Sequence, residues 1–98
     1  MTFFPDELGP PASYLVLEEG TPVFSSDGEQ LGRVAEVRAD LTVDVFDGLV
    51  IGAGALARER RFATADQVDE IYERGVVLRL DAAGARDLPP PEDHAAGP

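Results

Sequence analysis

Few residues of this chain are equipped for chemistry, and the stretch SSDGEQLGRVAEV, Ser25 to Val37, gathers the most suggestive of them. An Asp-Gly pair followed by a second Gly and an Arg invites two readings. A phosphate loop needs two Gly separated by four residues, then Lys and a hydroxyl residue, so that amides, ammonium and hydroxyl surround the phosphates and their Mg²⁺. Here three residues stand between Gly28 and Gly32, and Arg33 and Val34 follow. A calcium loop with Gly28 in its sixth place puts Val23, Ser25 and Val34 where a hard cation needs carboxylates. Centred on Gly48, the same test puts Val43, Val45 and Gly54 there. Both chemistries fail. The stretch reads as a turn, in which Asp27-Gly28 is the pair favoured by a tight hairpin and Gly32 permits close strand approach.

The remaining candidates are as spare. Gly52-Ala53-Gly54 is a lone Gly-x-Gly without the third Gly and helix of a dinucleotide site. The hydroxyl nucleophiles Ser13, Ser25 and Ser26 have no neighbouring base, there is no Cys, and the single His, His94, stands in a Pro-rich tail. Asp44 with Asp47, and Asp66 with Asp69 and Glu70, are carboxylate groups that arise by frequency alone in a chain with 19 acidic residues. No catalytic, cofactor or metal residue is assigned, and the chain is read as a non-enzyme.

The densest positive charge is Arg58-Glu59-Arg60-Arg61. Exposed ion pairs contribute only about 0–1 kcal/mol, so stability alone does not call for three Arg here. Arg58, Arg60 and Arg61 are therefore candidate partner contacts, set against the plainer reading of solvated loop charges that pair with Glu59 or Asp66. Phe3 and Phe4, out of place in a free tail, are candidates for the same role.

The elements that must position these residues are short apolar runs divided by turn residues, the pattern of a small all-β domain. Strands are expected at Tyr14–Leu17, Pro22–Phe24, Leu31–Asp40, Thr42–Ile51, within Arg60–Thr64, at Val68–Glu73 and at Val76–Leu80. Leu31, Val34 and Val37 recur at helical spacing, but the Asp-Gly turn and Gly32 argue for a strand instead. A bulge near Ala35-Glu36 would bring Val34 and Val37 to one side. Thr64 is a candidate N-cap for a helical turn over Ala65–Val68, and Asp81 for a short helix ending before Pro89. The expected divisions are an extended segment over 1–13, a domain over 14–88 and a Pro-rich tail over 89–98.

Composition narrows the function classes. Ninety-eight residues with 44% apolar and 28% charged content make one small soluble domain. The net charge of −11 disfavours nucleic acid and anionic lipid as partners. No run approaches the ~18 apolar residues of a membrane span, and the first residues lack the basic start of a secretory signal, so a cytoplasmic location is expected.

On these residues the chain resembles the PRC-barrel family, named for the cytoplasmic domain of a photosynthetic reaction-centre subunit. The resemblance rests on Gly20, Val23, Asp27-Gly28, Leu31-Gly32, Val34 and Val37, then VFDGLVI and RRFATADQVDEIYERGVVLRL, and spans about Tyr14 to Leu80. The family's P-x-x-x-V segment corresponds to Thr64 to Val68, with Thr in place of Pro. The resemblance implies a small, strongly bent antiparallel SH3-like barrel, here with a short C-terminal helix, that serves as a docking or assembly module. It implies no catalytic residues. The expected function is a non-enzymatic protein-interaction module that self-associates through Phe3, Phe4 and the apolar IGAGALA hairpin. The alternative is a regulatory barrel that binds a small ligand or cation.

Overall fold

In the computed structural model, residues 8–54 and 58–91 are described. A 3₁₀ turn over Tyr14–Val16 precedes β1 (Pro22–Phe24), β2 (Gln30–Asp40), β3 (Val45–Ala53) and β4 (Glu59–Thr64). A second 3₁₀ turn, Ala65–Gln67, leads to β5 (Val68–Tyr72) and β6 (Gly75–Leu78), and the helix α1 (Ala82–Ala85) follows. The strands form one mixed sheet in the order β4-β3-β2-β1-β6-β5. The fold is all-β. All neighbours are antiparallel except β1 and β6, which pair in parallel through Val23↔Val76 and Phe24↔Val77. This departs from the wholly antiparallel expectation. The reason is directional: the turn at Ala65–Gln67 does not reverse the chain, so the β5–β6 hairpin delivers β6 running the same way as β1.

The bulge in β2 explains the misleading helical spacing. Register shifts between Val34 and Glu36, so that Val34 faces Ile51 and Val37 faces Leu49. Leu49 and Ile51, two apart on β3, share one face, and the bulge therefore puts Val34 and Val37 on that same face. Every strand contributes to the resulting core through Val23, Val34, Leu49, Ile51, Ala63, Val68, Ile71, Val76 and Leu78. Ala85 of α1 and Leu88 close it.

Two further strand expectations are corrected. Tyr14–Leu17 is not a strand. The Ser13 hydroxyl accepts from Leu15 N at 3.0 Å and the Tyr14 carbonyl accepts from Leu17 N at 3.2 Å, so local bonds occupy groups a sheet would need. β3 starts at Val45, not Thr42. Leu41–Asp44 form the turn of the β2–β3 hairpin, where Asp40 Oδ1 accepts from Thr42 N at 3.0 Å and Asp44 adopts a φ of 56°.

Both sheet edges are covered by Pro-containing chain. Residues 8–12 run along β5, with Ala12 N donating to the Ile71 carbonyl and Glu73 N to that of Pro10. Leu8, 5% exposed, fills the space beside Gly75. At the other edge Phe62 N donates to the Pro89 carbonyl at 2.7 Å. Pro cannot donate onward, which blunts each edge as a template for further pairing.

The Asp27-Gly28 turn proves to be a structural tie. Gly28 has a φ of 93°, as the turn requires. Buried Ser25 accepts from Glu29 N at 3.0 Å and donates its hydroxyl to Asp27, whose carboxylate also accepts from Ala82 N at 3.2 Å. The β1–β2 turn thereby holds the start of α1. Chiefly the Ser25 hydroxyl, helped by the amides of Asp27 and Ala82 and by Arg86, holds the Asp27 carboxyl below its usual value of 3.8. Because the folded value is depressed, this contribution is complete above the ordinary value and lost as pH falls through the folded one. Ser25→Ala is expected to cost about 1–2 kcal/mol in urea unfolding, since Glu29 N loses its side-chain acceptor. It should also move acid unfolding to higher pH by circular dichroism. Superimposable acid limbs for the two proteins would contradict the tie.

Candidate functional site

Once the core is filled, five large apolar side chains among the described residues remain on the surface: Leu15 is 62% exposed, Val16 66%, Leu41 70%, Val43 61% and Val45 46%. Isolated exposed apolar residues are ordinary, whereas a cluster marks a contact surface. Leu15 and Leu41 come together because the chain folds one turn onto another, and Val16 lines the groove beside them. The Tyr14 ring stacks on Phe46, centroids 5.1 Å apart, and its hydroxyl donates to the Asp44 carboxylate. The 3₁₀ turn that carries Leu15 and Val16 is thus stapled to the hairpin that carries Leu41, Val43 and Val45.

Two grooves run through this surface. One, of about 250 Å³, is lined by Tyr14, Leu15, Leu17, Val37, Ala39 and Leu41. The other, of about 330 Å³, is lined by Ala12, Val16, Leu17, Tyr72, Glu73 and Arg74. They meet at Leu17.

The staple has a pH signature. The bond to Asp44, then burial and the Asp44 charge, raise the Tyr14 phenol above its usual 10.0. A raised folded value means that the contribution is whole below the ordinary value and lost as pH rises through the folded one. With Tyr72→Phe removing the other phenol, tyrosinate absorbance is expected to titrate above the ordinary phenol range, and Asp44→Ala to return it there. An ordinary titration with Asp44 intact would remove the staple.

The residues singled out from the sequence are placed differently. Phe3 and Phe4 lie outside the described residues. Arg60 and Arg61 alternate on β4 and so face opposite sides of it, while Arg58 precedes the strand. Arg61 turns towards the C-terminal segment, donating to the Arg86 carbonyl at 2.7 Å and approaching Glu59 at 3.9 Å. It lines a hollow of about 200 Å³ between the sheet and α1, over a floor that includes Leu31, Ile51 and Leu88. The IGAGALA hairpin needs correction. Ile51 is 3% exposed and belongs to the core, and Ala55–Ala57 lie outside the described residues.

From the sequence, Leu15, Val16 and Val43 read as strand residues and Leu41 as the single residue between two strands, so none of the four stands out as a surface position. The available signal was the acid on either side: Glu18-Glu19 after the first run, Asp40 and Asp44 around the second. Among the described residues, no three His or carboxylate side chains converge as a metal site would require. No helix among them is long and apolar enough to cross a membrane. Comparison with protein-family models and with curated proteins finds no match.

Proposed function

We propose that this chain is a non-catalytic protein-interaction module of the PRC-barrel type, presenting the Leu15–Leu41 face to another protein chain. Two features support the SH3-like barrel. The opposite edge strands, β4 and β5, are joined by only three residues, Ala65–Gln67, which requires the sheet to bend until its edges lie near each other. All six strands also supply one common core. Of the motif residues behind the family resemblance, Gly20 precedes β1 with a φ of 94°, and Val23, Asp27-Gly28, Leu31-Gly32, Val34 and Val37 fall on β1, the Asp-Gly turn and β2.

The observation that carries the function is the exposed pair Leu15 and Leu41, held in one groove beside the Tyr14–Asp44 staple, with Val16 in the adjoining groove. Water contact at apolar surface costs roughly 25 cal/mol per Å², and covering it favours association. The test is site-specific photo-crosslinking in cells, with Leu41 replaced by p-benzoylphenylalanine and a control in which Asp69 carries the same group. Discrete adducts from position 41, and none from 69, are expected. The adduct mass separates a second copy of the chain, the occupant expected from the sequence, from a different protein. No adduct at position 41 would refute the module.

A further inference from the structure

The groove lined by Leu15 and Leu41 is apolar, and acids adjoin it: Asp44 holds the Tyr14 hydroxyl, and Glu18 and Asp40 are chain neighbours of the lining residues Leu17 and Leu41. Two segments carry this face, residues 13–20 and 39–47. Between them they hold Glu18, Glu19, Asp40, Asp44 and Asp47 and none of the eight Arg, although Glu19 lines a separate hollow with Arg33, which donates to the Gly20 carbonyl at 2.8 Å. Arg38, next in the chain, serves a different face of the sheet: it pairs with Glu36 at 3.3 Å and lies 5.8 Å from the Phe62 ring centroid. Arg74 borders the adjoining groove beyond Leu17 and approaches Glu73 at 3.8 Å. No ion pair among the described residues engages the five acids.

Resting on the module reading above, we propose that this face docks a basic amphipathic segment of a partner protein. Its apolar side chains enter the grooves that meet at Leu17, and its Lys or Arg side chains stand against the acidic rim. Charge decides between this occupant and a second copy. A two-fold contact through the same patch brings one acidic rim against another, on chains that each carry −11. Like-charge juxtaposition of that kind costs several kcal/mol, whereas a basic segment converts the same rim into attraction.

The test uses fluorescence anisotropy with a labelled peptide of Leu and Lys arranged at helical spacing. A scrambled peptide of equal composition and a Leu/Glu peptide serve as controls. The Leu/Lys peptide is expected to bind best. Leu15→Asn with Leu41→Asn should weaken it by about tenfold or more, as for loss of central apolar anchors. Asp40→Asn with Asp44→Asn, which keeps the local acceptors, should weaken it several-fold and flatten its salt dependence. Asp66→Asn with Asp87→Asn, equal in charge change, should leave it unaltered. If the apolar variant fails to fold, the two charge variants and the salt dependence still decide.

Equal binding of the scrambled peptide, or equal loss with Asp66 and Asp87 changed, would overturn the proposal in favour of bulk charge. A native dimer in light scattering that Leu15→Asn with Leu41→Asn dissolves would overturn it in favour of a second copy, leaving the module reading intact. Absence of any adduct at position 41 would remove both.

Discussion

Gly32→Ala is expected to lower stability by about 3 kcal/mol, among the largest effects of any single methyl added to this chain. A Cβ at position 32 would stand 2.3 Å from the Gly52 carbonyl oxygen and 3.1 Å from Ile51 Cγ2. The first atom belongs to the backbone of β3, which is held on both sides by β2 and β4. No rotamer change relieves such a contact. The strands must separate, and β2 pairs across this point through Arg33↔Gly52 and Val34↔Ile51. Urea unfolding should show a lower midpoint with an unchanged slope. A loss smaller than about 1 kcal/mol would mean that the two strands are not so closely apposed.

Leu49→Ala and Val50→Ala, neighbours on one strand, should both be costly, at about 3 and about 2 kcal/mol respectively. Leu49 faces the common core between Val37 and Ala63. Val50 faces the other way and is nonetheless fully buried. Its cross-strand neighbours are Glu36 and Phe62, and Arg38 bridges these two by an ion pair and a contact over the ring. A thin outer layer thus shields β3 on its second face. On a strand open to water on one side, Val50→Ala would fall within about 0.5 kcal/mol of the native protein. That result in thermal or urea unfolding would show the outer layer to be permeable.

The contrast explains how much of the fold was legible. Leu49–Ile51 fell within an expected strand, and β3 lies between two others. The β2 bulge was legible too, because Leu31, Val34 and Val37 fit neither a clean strand nor a helix fed by an Asp-Gly turn. Thr64 and Asp81 were readable as caps: Gln67 accepts from Thr64 N at 2.9 Å, and Asp81 accepts from Gly84 N at 2.7 Å. Each depends on residues a few positions apart.

Where the sequence reading went astray, the deciding partner lay farther along the chain or the competing bond was hidden in a polar side chain. Tyr14–Leu17 has the composition of a strand, yet Ser13 and the turn's own carbonyls satisfy it locally. Val43 has the alternation of a strand, yet Asp40 and the positive φ of Asp44 turn the chain there. Arg61 looked like part of a basic cluster until its acceptor, the carbonyl of Arg86, stood beside it.

By itself, the sequence determined an all-β domain, most of its strands and turns, the bulge in β2, and the lack of any nucleophile–base or phosphate-loop pattern. These follow from side-chain periodicity, cap chemistry and residue inventory, which act over a few residues. Only tertiary structure decided which apolar residues stay outside. The bond from Tyr14 to Asp44 spans 30 positions, and beside it Leu15 and Leu41, far apart in the chain, come to line one groove. Burial is a property of the whole packed sheet, so an exposed Leu and a core Leu carry the same letter until every strand has found its neighbour.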